Sequence, residues 1–99
     1  MSGYIYLIQL REFKNIREST YKLGRCNDIH RRYEKYPKGS IILYSRLVDS
    51  EKELENLIFN QFKINFVHKK EYGAEYFKGD YLKMIKIIDK TITQHDHSQ

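Results

Sequence analysis

The sequence predicts an α+β domain: a three-stranded antiparallel sheet flanked by helices, in the order β-β-α-β-α-α. Two observations predict it. Tyr4 to Leu10 reads YIYLIQL, apolar on both alternating faces, the pattern of a central strand covered on both sides. Helical spacing of apolar residues is confined to three later segments, each preceded by a turn or a capping signal.

The elements follow in order. Arg11 to Ser19 is polar and charged and predicts a hairpin connection, longer than the usual length of about two to five residues. Thr20 to Arg25 forms the second strand, ended by Gly24 and the Cys26-Asn27-Asp28 turn. Asn27 or Asp28 caps a helix running to about Tyr36, and Pro37-Lys38-Gly39 ends it. Ser40 to Val48 (SIILYSRLV) is the third strand. Ser50-Glu51-Lys52-Glu53 is a capping box, followed by Leu54, Leu57, Ile58, Gln61 and Phe62 at helical spacing. Residues 63 to 76 read as an irregular connection. Gly79-Asp80 opens a last helix with Leu82, Ile85, Ile88 and Ile92 toward the core. One domain over 1–93 and a disordered tail over 94–99 are expected.

Composition narrows the function classes. No apolar run approaches a membrane span, and Met-Ser-Gly-Tyr-Ile is not a secretory signal. Cys26, the single cysteine, excludes an internal disulfide, so an intracellular setting, cytoplasmic or nuclear, is expected. Net charge is +5 and the pI about 9.3, a lean toward polyanions. The cations crowd into the first forty positions: Arg11, Lys14, Arg17, Lys22, Arg25, Arg31, Arg32, Lys35 and Lys38.

Two charges occupy helix positions where core residues are expected. Ile29, Arg32, Tyr33 and Tyr36 form one stripe at i, i+3, i+4 and i+7, so Arg32 points toward the sheet. Glu55 shares its direction with Ile58 and Phe62, whereas Glu53 points away. Arg32 and Glu55 could pair structurally, or Arg32 could reach water from the edge of its stripe. Together with Tyr6 and Lys22 they also supply what phosphodiester hydrolysis with one divalent metal needs: a proton acceptor, a guanidinium for developing charge, and a carboxylate for the ion.

The order of these parts resembles the GIY-YIG nuclease family across nearly the whole chain. Gly3-Tyr4-Ile5-Tyr6 matches the first segment, with Tyr6 as its closing tyrosine, and Tyr21-Lys22-Leu23-Gly24 matches the second. Arg32 stands where family members carry an arginine after that glycine, and Leu54-Glu55-Asn56-Leu57-Ile58 matches the helix bearing the metal-binding glutamate. Glu75-Tyr76-Phe77 resembles a signature of a phage- and virus-rich branch. Lys22 replaces the tyrosine of the second tripeptide, as often in that branch, and Asn65 is the nearest match to a downstream asparagine.

The resemblance implies a metal-dependent DNA endonuclease, RNA being left open as a substrate. Glu55 is then the only protein ligand of a Mg²⁺ or Mn²⁺ ion, and with no second acid placed beside it a two-metal mechanism is disfavoured. Tyr6 takes the proton from water, helped by Lys22, whose ammonium lowers the phenol's pKa or which acts as the base itself. Arg32 stabilises the phosphoryl charge, while Arg25, Arg31 and Lys35 contact the phosphate backbone. Sequence specificity is not readable here; a partner protein could supply it. The rival is a non-catalytic nucleic-acid-binding module with the same fold. Cys26 reads as an inert small residue, His30 as an exposed helix position, and His95 and His97 as part of the frayed tail.

Overall fold

The computed structural model describes residues 2–97. The chain runs β1 (Ser2–Gln9), α1 (Arg11–Asn15), β2 (Thr20–Cys26), α2 (Ile29–Glu34), β3 (Ile41–Asp49), α3 (Glu51–Asn65), β4 (Val67–His68), β5 (Tyr76–Lys78) and α4 (Tyr81–His97). The α+β class holds, but the expected three-stranded sheet in the order β-β-α-β-α-α does not. Among the described residues the sheet has five antiparallel strands in the order β3-β1-β2-β5-β4, with four helices.

The two additional strands lie in the stretch that reads as an irregular connection or next to it. At two and three residues, β4 and β5 are too short to display an alternation in the sequence. They are fixed by packing instead: the His68 ring stacks on Phe77 at 4.6 Å, and Phe77 is fully buried. The predicted hairpin connection likewise contains α1. Its single buried residue, Phe13, packs against Tyr72 with ring centroids 4.8 Å apart, which ties the turn down.

Alternation along β1 builds two cores, one on each face of the sheet. Ile5 and Leu7 join Leu23, Phe77 and the buried stripes of α3 (Leu54, Ile58, Phe62) and α4 (Met84, Ile88, Ile92). Tyr6 and Ile8 face the other way, with Phe13 of α1, Cys26, Ile29 of α2 and Tyr36. Helices α3 and α4 therefore cover one face, and α1 and α2 the other.

Three details of the helix ends differ from expectation. Ser50 is left-handed (φ 62°, ψ 45°) and makes no side-chain cap bond, so the capping box does not form. The core stripe of α4 is carried by Met84, Ile88 and Ile92, with Ile85 half-buried beside it, while Leu82 is 56% exposed. Asp80 caps this helix, accepting from the Leu82 N–H at 2.9 Å, and that sets its register. Finally, α4 runs through His97, and His95 lies 3.4 Å from Glu53 of α3. Residues 94–97 are thus helical, and the rest of the predicted tail lies outside the described residues. Among those, no helix is long and apolar enough to cross a membrane.

Candidate active site

Tyr6 and Gly24 are direct partners in the β1–β2 ladder and point to the same face. The Tyr6 ring lies flat across Gly24: a Cβ there would meet the ring Cζ at 2.3 Å and the hydroxyl at 2.5 Å. Only glycine lets this buried ring (1% exposed) cross the strand and carry its hydroxyl beyond it.

The hydroxyl emerges at a gap in the sheet. Strand β5 pairs with β2 only over Thr20–Lys22, and the last bond on that side runs from the Leu23 N–H to the Glu75 carbonyl at 3.0 Å. From Gly24 onward this edge of β2 has no strand neighbour, so side chains from both faces can meet there. Lys22, Cys26, Asn27 and α2's Arg32 arrive beside Tyr6, while Glu55 of α3, Arg25 and Glu75 arrive from the opposite face or the loop. Together they line one cavity of about 330 Å³.

The hydrogen bonding runs through a residue that the sequence reading places only in the packing stripe. Tyr36 lies 2.6 Å from the Tyr6 hydroxyl and accepts from Lys22 Nζ at 3.1 Å. Lys22 also sits over the Tyr36 ring, 5.1 Å from its centroid. Burial alone would lower the pKa of Lys22, but the Tyr36 hydroxyl, with Tyr76 and Glu75 nearby, leaves it raised. It is an ammonium at neutral pH, not a free base. The Tyr6 phenol is not lowered either: burial, then its contact with Tyr36, push it well above the ordinary range, with Arg32 pulling the other way. The expected direct action of Lys22 on Tyr6 is therefore replaced by a chain, Lys22 to Tyr36 to Tyr6.

On the other side, Glu55 does not pair with Arg32. Its Oε1 accepts from Arg25 Nε at 3.2 Å, while its Oε2 is buried with no hydrogen-bond partner. Burial, then the neighbouring Glu75, push the Glu55 carboxyl up to about 7, with Arg25 opposing. Glu75 is the second acid that the sequence reading did not place beside Glu55. An orphaned, anion-bearing oxygen next to a second carboxylate suits a hard divalent cation, whose remaining positions water can fill. Among the described residues no set of three His, Cys, Asp or Glu side chains gathers around one point.

Of the predicted residues, Tyr6, Lys22, Arg25, Arg32 and Glu55 meet in the cavity. Arg31 and Lys35 stay outside it, exposed on and just after α2. Asn65 is remote, its side chain bonded to the Gln61 carbonyl at the end of α3. Cys26, read from the sequence as an inert small residue, is buried and lines the cavity wall. Tyr36 and Glu75 are the site residues missed. Tyr36 stands four residues after Arg32 on the same stripe, and Glu75 opens the Glu75-Tyr76-Phe77 triplet, so both had a signal.

Residues 3–92 match the family model of the T5orf172 domain. No curated protein and no solved structure matches the chain.

Proposed function

The chain belongs to the T5orf172 domain family, and from that premise we propose that it is a metal-dependent endonuclease of the GIY-YIG type acting on DNA. One observation carries the reading: the four side chains chosen for phosphodiester chemistry, on β1, β2, α2 and α3, converge on a single polar cavity with Arg25 beside them.

Each residue has a role that its geometry supports. Arg32 reaches into the cavity beside the Tyr6 hydroxyl, where a guanidinium neutralises charge building on a phosphoryl group. Tyr6 orients the attacking water and receives its proton. In the resting protein it is a neutral phenol, so it must first release its own proton to solvent, a loss that the cationic charge around it favours, and only the phenolate then takes the proton of the water. When Tyr6 gives up its proton, Lys22 donates to Tyr36 and Tyr36 donates to Tyr6, which keeps all three bonded. Glu55 would hold a Mg²⁺ or Mn²⁺ ion through its unpartnered oxygen. When bound, such an ion supplies Lewis-acid stabilisation of the scissile phosphate and the leaving oxygen. Arg31 and Lys35 supply sequence-independent contacts to the phosphate backbone from α2 and its end.

A second reading, a nucleic-acid-binding module without cleavage, draws on the Arg25–Glu55 pair, which already partly neutralises the carboxylate. Incubation with supercoiled plasmid separates the two. Nicking or linearisation that requires Mg²⁺ or Mn²⁺ and disappears in Glu55→Gln, while that variant still retards DNA in a gel, is the expected result. Retardation without cleavage under any divalent metal supports the binding module instead.

A further inference from the structure

We propose that Glu75 is a second protein ligand of the divalent cation assigned to Glu55, so that the ion is held between two carboxylates at the gap in the sheet; this rests on the nuclease reading above. Four observations converge on it. Glu55 Oε2 is buried and unpartnered, and the one cation bonded to this carboxylate, Arg25, engages Oε1. Both glutamates line the site cavity, and both also line a smaller one of about 230 Å³, so the two residues stand together where these cavities adjoin. The loop is also built to present Glu75 there. The bond from the Leu23 N–H to the Glu75 carbonyl pins its backbone where strand pairing stops. Two residues earlier, Gly73 adopts φ +149°, and a Cβ on it would approach the Tyr76 ring at 2.9 Å. The chain thus turns tightly just before Glu75, and its side chain reaches Glu55.

Two acids placed together at the end of a strand repel one another unless a proton or a cation lies between them. Arg25 and Lys22 stand on the flanks, and neither is bonded to the free oxygen. Hard oxygen donors in a part-buried site match Mg²⁺ or Mn²⁺, in preference to a soft metal.

The test is Mn²⁺ binding to the intact chain without DNA, followed by the loss of free-Mn²⁺ paramagnetic resonance signal and by calorimetry. Wild type should bind one equivalent, and Glu55→Gln and Glu75→Gln should each weaken binding by at least tenfold. Glu71→Gln, an exposed neighbour on the same loop, should bind as wild type does. Thermal melts establish that each variant is folded, and Glu75→Asp, which keeps the charge, covers the case in which the glutamine variant is not. It should retain part of the affinity. If Glu75→Gln binds Mn²⁺ as tightly as wild type while Glu55→Gln does not, Glu75 is no ligand and the nuclease reading stands untouched. If wild type binds no Mn²⁺ yet still cleaves plasmid only with Mn²⁺, the two-carboxylate site is likewise overturned. If wild type neither binds Mn²⁺ nor cleaves, both readings fall.

Discussion

Replacing the candidate metal ligand should make the metal-free protein more stable. The Glu55 carboxyl rises from 4.5 to about 7 in the folded state, through burial first and Glu75 second. The folded protein therefore keeps a proton on this group that the unfolded chain has released. Stability falls as pH rises from 4.5 to about 7 and levels off above that window. The full effect is about 3 kcal/mol, at roughly 1.4 kcal/mol for each pH unit. Part of the rise comes from the neighbouring Glu75 charge, so about 1–3 kcal/mol is expected from removing Glu55 alone. Against this stands the lost pair with Arg25, a side chain 41% exposed that can turn to water, worth about 0–1 kcal/mol. Glu55→Gln, with the same shape and no charge, should match wild type near pH 5 and exceed it by about 1–3 kcal/mol at pH 8. Urea denaturation of both proteins at the two pH values, with chelator present, measures this. A variant less stable than wild type at pH 8 would show that the Arg25–Glu55 pair outweighs the burial of the charge, and would refute the reasoning.

Gly24→Ala should disrupt the site from beneath, because the new Cβ falls 2.3 Å from Cζ of a ring with no room to retreat. Overpacking of about 1–3 kcal/mol and about 1 kcal/mol from the displaced Tyr6–Tyr36 bond should appear as a lowered melting temperature. In a Tyr6→Leu background most of that penalty should disappear, and an additive double-mutant cycle would show that the two do not collide. Tyr36→Phe removes the hydroxyl joining Lys22 to Tyr6, so plasmid cleavage should fall by on the order of 10²-fold with DNA retardation unchanged. A wild-type rate would reduce Tyr36 to a packing residue.

The strands and helices with long apolar patterns were legible in the sequence, and so was the gathering of their charges. Tyr4 to Leu10 announces a doubly covered strand, and Arg32 and Glu55 are conspicuous as charges on otherwise apolar faces. The outer strands were not legible, because β4 and β5 exist through the stacking of His68 on Phe77, the pairing of β5 with β2 and the pairing of β4 with β5, and none of these leaves a periodic trace. The misread cap at Ser50 has a similar origin. Its composition suits a capping box, but the tight exit from β3 forces a left-handed backbone that turns the side chain away from the helix. Which charge pairs with which was equally out of reach. Arg25 and Arg32 point to opposite faces of the sheet, and the neighbour each finds depends on where β5 stops.

That early end of β5 has a mechanical consequence. Helices α2 and α3 lie on opposite sides of a sheet that elsewhere keeps them apart, and α2 contributes no fully buried residue to the core. A phosphate gripped by Arg32 on one side and by groups gathered at Glu55 on the other passes, in effect, through a window in the sheet. It becomes a crossbar tying the most lightly anchored helix to one of the two that hold the main core. Occupancy of the site would then tie α2 across the sheet, and the ordering cost of binding would fall on the six residues of that helix.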